Sequence, residues 1–305
     1  MDSINEFISL IYVTFTPLFL IAGSVILVSR RISMDARTFA RANIYLFAPC
    51  LALNSTLNTS MSAQEMGSIV IATLVCGFLM AAAAWGVARF SGFDRPMTAT
   101  FILTAIIMNS LNFGLPFITF AFGPEAESRA VIFVIGQLFI VYGLGTFVIS
   151  RGTKSIQDSL LNVFKMPLPY MALLGILLNV TNNGLPQPVE QAVGVLGRAT
   201  VPCAMVILGL QLGTATLNGR WRPLITIALT RYGIGAGIAF LVTSLMGLSG
   251  LTARVFVLIY AMPVGVTSGV LATEFDGEAE YAAAAVLFTT LLSIVPLSLL
   301  LVFTV

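Results

Sequence analysis

The 305-residue chain contains no histidine, and only 9% of its residues are charged, against about 25% in an ordinary soluble domain. Without His, the commonest zinc ligand and the usual general base near neutral pH are both missing, which excludes a His-based proton relay. So little charge leaves no basic surface for nucleic acid and no polar shell for a large extramembrane domain or most cytosolic enzymes. Cysteine is scarce too. Cys50, Cys76 and Cys203 have no CxxC spacing and lie in apolar stretches, so neither a disulfide framework nor a metal site is implied, and no cofactor is expected.

What the chain has in quantity is apolar surface: 58% of its residues are hydrophobic, with 22 Phe, 12 Met and 26 Gly. A lipid-spanning helix takes roughly 20 apolar residues, so about ten fit with short loops between them. Apolar runs bounded by charges or turn residues lie near 7–29, 42–58, 66–88, 96–122, 130–150, 166–181, 199–217, 223–247, 255–273 and 281–303,. The start, Met1-Asp2-Ser3-Ile4-Asn5-Glu6, is acidic where a signal peptide is basic, and the run after it is too long for a signal core,. It reads as a retained first span.

The net charge of +2 says little, but the placement of the basic residues says more. Counted on alternating sides of ten spans, one set of loops carries 11 Lys and Arg residues, from Arg30 to Arg222, and the other carries only Arg129, Arg198 and Arg254. The positive-inside rule makes the first set cytoplasmic and puts both termini outside. The expected location is the cell's inner (plasma) membrane.

The longest hydrophilic connection, 151–165, divides the chain into five-span halves, 1–150 and 166–305. Phe47-Ala48-Pro49-Cys50-Leu51 resembles Thr200-Val201-Pro202-Cys203-Ala204 at an offset of about 150 residues, and Pro116 and Pro263 share nearly that offset. Because each half has an odd number of spans, the second enters the membrane from the opposite side, giving an inverted repeat. The expected fold is an all-α polytopic membrane protein.

Two spans carry break signals. In the fourth, Met108-Asn109-Ser110-Leu111-Asn112-Phe113-Gly114-Leu115-Pro116 joins Gly to Pro, and the ninth has Met262-Pro263-Val264-Gly265-Val266-Thr267-Ser268. Pro removes a backbone donor and Gly permits unusual dihedrals, so interrupted helices are expected, each Pro in the first turn of a second half-helix. Free N–H groups at half-helix N-termini suit an anion such as a carboxylate. Simple Pro kinks are the alternative. Asn109 either contacts substrate or makes an interhelical bond, and Asn112 divides the same way. Arg231 is the one charge within an apolar run. It either neutralises an anionic substrate or snorkels or pairs with helix carbonyls. No Asp or Glu falls inside a run; Glu274, Asp276, Glu278 and Glu280 follow the ninth and read as a solvated turn, with an access role second. Gly209 and Gly213 read as packing, and Gln137 as a cavity-lining residue or an interhelical bond.

Asn109-Ser110-Leu111-Asn112-Phe113-Gly114-Leu115-Pro116 resembles the fourth-helix motif of the auxin efflux carrier family, with Leu111 where that motif usually has Gly. Gly209-Leu210-Gln211-Leu212, Ala261-Met262-Pro263 with Thr267-Ser268, and the run from Ala282 to Pro296 extend the resemblance over nearly the whole chain. It implies a ten-helix 5+5 inverted repeat similar to bile acid–sodium symporters, with broken helices 4 and 9 crossing. It further implies a scaffold of helices 1, 2, 6 and 7 beside a transport domain, and a homodimer. Its members move indole-3-acetate or small carboxylates such as malate and malonate. The family's substrate-contacting Asn maps to Asn109 and its crossover prolines to Pro116 and Pro263. With no intramembrane acid at the ninth helix, sodium coupling is not expected.

The candidate substrate-binding set is therefore Asn109, Asn112, Gly114, Pro116, Pro263, Thr267, Ser268 and Arg231. The expected function is a secondary carrier of an organic carboxylate anion by alternating access. A channel or a transporter-like sensor is the second reading. An enzyme would need converging nucleophile, base and acid groups, which the sequence does not offer.

Overall fold

A chain removed from water must satisfy its own backbone polar groups, and a helix does so within one segment. The described residues are accordingly almost all helical, with interruptions inside the runs 96–122 and 255–273. The computed structural model describes residues 2–150, 161, 163–214, 216–217 and 220–304, so most of the 151–165 connection, including Arg151 and Lys154, lies outside the described residues. Among the described residues, five helices are long and apolar enough to cross a membrane: Ile11–Ser29, Ala63–Phe90, Pro124–Ile149, Gln187–Thr214 and Trp221–Leu245. A sixth is the pair Ala279–Leu292 and Ile294–Val302, if the two pieces, bent by 49°, are taken as one. Pro167–Val180 and Gly250–Tyr260 are apolar but shorter.

Side-chain caps start several helices ahead of the apolar run. Asp35 accepts from the N–H groups of Arg37 and Thr38 at 3.1 and 3.2 Å and begins the helix at Ala36. The hydroxyl of Thr38 and the N–H groups beside it hold the Asp35 carboxyl below its ordinary range. Asp94 accepts from the N–H of Met97 at 2.9 Å, with Pro96 in the first turn,. The helix Pro124–Phe139 likewise begins before the run at 130. This corrects the expectation that no acid falls inside a span: Glu125 and Glu127 lie in its first turn, with Arg129 just after.

The chain divides into two compact units, each drawing on both halves of the sequence. One holds Met1–Gly67, Leu111–Ile135 and Phe164–Thr214. Within it the helices Ala48–Leu57 and Pro167–Val180 lie side by side, the Thr56 hydroxyl donating to the carbonyl of Ala172 at 3.1 Å. The helix Thr200–Thr214 packs on Asp2–Ser29 so closely that a Cβ at Gly209 would sit 2.7 Å from the carbonyl oxygen of Ala22. The expected packing role of Gly209 is thus a backbone-to-backbone approach. Arg129 is buried and pairs with Glu65 and Glu125, both at 3.2 Å, while Ser128 donates to the carbonyl of Ser55. Those bonds join three helices.

The second unit holds Ser68–Ser110, Gly136–Val163 and Ala215–Val305. It contains two helices that stop in mid-course. Arg95–Ile106 ends in extended backbone at Ile107, and Gly250–Tyr260 is followed by six non-helical residues before Thr267–Glu274 begins. Two other helices of this unit widen to π-helical turns, at Ile140–Gly145 and Thr230–Gly235. Such turns occur frequently at functional sites.

Candidate functional site

The two breaks in the second unit meet as a minimal antiparallel pair. Met108 lies opposite Val264, the N–H of Asn109 donates to the carbonyl of Pro263, and the N–H of Gly265 donates to the carbonyl of Ile107, both at 2.8 Å. Gly265 has no side chain because there is no room for one: a Cβ there would sit 2.8 Å from the Met108 carbonyl oxygen. Pro263 needs no N–H of its own in this arrangement. It lies four residues ahead of Thr267–Glu274, so the expectation that it opens the second half-helix is corrected. Pro116 does not open the other half-helix either: helical backbone resumes at Ser110 as a π-helical turn and runs on through Gly114 into Leu115–Phe122, so Pro116 lies inside it, where the π-helical turn accommodates its missing N–H,.

Breaking two helices frees backbone groups that must find partners away from water. Three side chains supply them. Arg231, fully buried within the π-helical turn Thr230–Gly235, donates Nη1 to the carbonyl of Ala105 at 2.7 Å and Nη2 to those of Tyr260 and Met262, the last at 2.8 Å. Its guanidinium also lies 5.7 Å from the centre of the Tyr260 ring, within cation–π range,. Gln137 donates Nε2 to the carbonyl of Met108 at 2.8 Å. Thr289 accepts from the N–H of Val264 at 3.0 Å while its own proton goes to the carbonyl of Ala285. The Tyr260 hydroxyl continues the network to the carbonyl of Cys76, and that of Tyr232 reaches the carbonyl of Thr289.

Some polar atoms stay unmatched. Asn109, 4% exposed, has its Nδ2 buried without a partner, as are Oε1 of Gln137, 3% exposed, and Nε of Arg231. Ser268 spends its hydroxyl proton on the carbonyl of Gly265 at 2.7 Å, tying the start of its half-helix to the crossing, and Thr267 beside it is half-buried. Asn109, Pro263, Thr267, Ser268 and Arg231 are thus residues of one unit.

Asn112, Gly114 and Pro116 belong to the other unit. Asn112 is half-buried in the π-helical turn Ser110–Gly114; Gly114 and Pro116 are buried. In that unit Phe117 stacks on Phe113, with ring centres 6.3 Å apart, and meets the edge of Phe15 at 5.3 Å. Leu111 lines a small apolar cavity of about 10 Å³ with Leu115, Leu51 and Val131.

A profile of the membrane transport protein family matches residues 32–301. The chain belongs to that family, the one its fourth-helix motif resembles. Two curated relatives agree. An uncharacterized transporter of Methanothermobacter thermautotrophicus is 29% identical over 271 residues, covering 87% of this chain and 88% of the relative. An uncharacterized transporter of Methanocaldococcus jannaschii is 28% identical over 202 residues, 65% of this chain and 66% of the relative. This membrane transport protein is a multi-pass membrane protein of a transporter class and not of an enzyme class.

In the transport protein, Arg220 pairs with Glu278 at 3.0 Å, and the N–H of Glu278 donates to the Thr100 hydroxyl at 3.0 Å. The acidic turn after the ninth run is therefore tied to its neighbours at Glu278. Sequence reasoning passed over Thr289 and Tyr260. Both sit in apolar helices where such residues usually need no special account, and the carbonyls and N–H groups they serve leave no mark in a sequence.

Proposed function

We propose that this membrane transport protein is a secondary carrier of an organic carboxylate anion, with the anion held at the crossing of the two broken helices. The observation that carries this reading is the buried guanidinium of Arg231, solvated by carbonyls and opposed by no carboxylate among the described residues, beside the unspent amide donor of Asn109. A buried unbalanced charge is costly in a membrane protein and marks a functional position. At an effective dielectric constant of about 20, a carboxylate about 6–8 Å away gains about 2–3 kcal/mol from such a charge.

In this reading Asn109 orients the carboxylate by donating Nδ2 to it. Pro263 and Gly265 keep the crossing close, and Ser268 and Thr267 present the first turn of a half-helix whose dipole favours an anion. Along the chain from Asn109, Asn112, Gly114 and Pro116 form the start of the fourth helix's second half and belong to the proposed set through the motif. Alternating access, ten crossings in a 5+5 inverted repeat with helices 1, 2, 6 and 7 as scaffold, a homodimer, and an inner-membrane location with both termini outside are parts of the same proposal. Indole acids and small mono- or dicarboxylates are the candidate classes among which its substrate falls.

A thermal-shift screen of the purified protein across carboxylates and indole acids, with and without sodium, tests the reading. Stabilisation by at least one acid, independent of sodium, is the expected result. A protein stabilised by no anion contradicts the anion site. A channel is separated by counterflow, since a carrier exchanges labelled substrate against unlabelled and a channel does not.

A further inference from the structure

We propose that Arg231 is a fixed counter-charge that limits the cargo to one negative charge, which makes the substrate a monocarboxylate and not a dicarboxylate. The inference rests on the carboxylate reading above. A guanidinium stays protonated throughout the working pH range, so the crossing carries a permanent positive charge. The groups around it, three backbone carbonyls and the face of the Tyr260 ring, are dipoles and a quadrupole. They solvate the charge without cancelling it.

Away from water, charge balance decides what is tolerated. A monoanion brings the sum at the crossing to zero. A dianion leaves one negative charge over, and among the described residues no other Lys or Arg shares the hydrogen bonds that hold Arg231 at the crossing. A neutral amide of the same shape gains nothing from Arg231. Gln137 works in the same direction. Because its Nε2 is spent on the Met108 carbonyl, the unpartnered atom is Oε1, an acceptor, which opposes a second carboxylate,. The two unspent donors, Nε of Arg231 and Nδ2 of Asn109, are each of the kind that a carboxylate oxygen accepts from,.

The test measures binding to the full-length protein in lipid nanodiscs with three matched sets of ligands. These are acetate, benzoate and indole-3-acetate; malonate and succinate as dianions; and the amides of the three monoacids. The expected result is binding of at least one monocarboxylate about ten-fold or more tighter than the dianions and amides. Succinate should gain affinity when the pH falls below its second ionisation, where it becomes a monoanion. Arg231→Gln should erase the preference for acid over amide, and Arg231→Lys should keep it. If Arg231→Gln does not fold, the wild-type pH comparison with succinate decides alone. Dianions bound as well as monoanions, or a folded Arg231→Gln that still prefers the acids, overturn the counter-charge and leave the carboxylate reading standing. Amides bound as tightly as acids, or no ligand bound, overturn both.

Discussion

Asn109 divides its side chain from its backbone: the N–H builds the crossing and the amide Nδ2 is left unspent. Asn109→Ala removes only the second, so the protein should fold normally and lose about 1.5–3 kcal/mol of anion binding, a factor of about ten to a hundred in affinity by titration. Thr289→Val keeps the shape and removes the acceptor for the Val264 N–H. An orphaned buried N–H costs about 1–3 kcal/mol, which a lowered unfolding midpoint reports. Gly265→Ala should destabilise by about 1–3 kcal/mol, because its Cβ meets the Met108 carbonyl,. Gly237→Ala, with nothing within 4 Å of the new atom, should be neutral or slightly stabilising,. At this scale the sequence singles out Asn109 by its amide in an apolar run before Gly-Leu-Pro, and the structure puts its backbone N–H in the crossing. The sequence left two readings for Arg231, because carbonyl acceptors are the same for every residue type. Thr289 was not legible at all, since a Thr in an apolar helix ordinarily bonds only the carbonyl one turn back, as it also does here,.

Among the elements, interruptions do fall in the fourth and ninth runs, at 107–109 and 261–266, but only Pro263 lies in one. Pro116 lies inside the half-helix that begins at Ser110, whereas Pro263 sits in the extended crossing, where its carbonyl takes the Asn109 N–H. A Gly-Pro pattern marks a run in which a helix is interrupted, while the place of the interruption depends on partners supplied by other elements, here Arg231, Gln137 and Thr289. Helix starts differ from the apolar runs for a related reason. Apolar runs mark the part of a helix that lipid or core requires, and the capped polar turns ahead of them carry no apolar signal, which is how Glu125 and Arg129 came to lie within a helix. Arg129 joins the starts of two helices through Glu65 and Glu125. Arg129→Ala should lower the protein's stability by about 1.5–3 kcal/mol in an unfolding titration, with carboxylate selectivity unchanged.

For the whole molecule, an apolar chain without His and with few charges leaves, in the proposed reading, amides, helix ends and the Arg231 guanidinium to recognise the substrate. The basic loops predict the topology. A single Cys placed at Arg37 or Arg89, in a background with the three native cysteines replaced, should react with impermeant reagents only from the cytoplasmic side, and one placed at Arg254 only from outside. Composition and loop charge made the membrane character legible, and the family match agrees with it. The division into two compact units, each built from both halves, was not legible, because it depends on long-range packing that no local pattern encodes. The most direct test of the carrier is counterflow of a labelled carboxylate in proteoliposomes containing the wild-type protein or Asn109→Ala. Accumulation of label against unlabelled acid by the wild type, with at least a ten-fold fall in apparent affinity for Asn109→Ala, is the predicted result. Equal counterflow by the two proteins, or none by the wild type with any carboxylate, would contradict it.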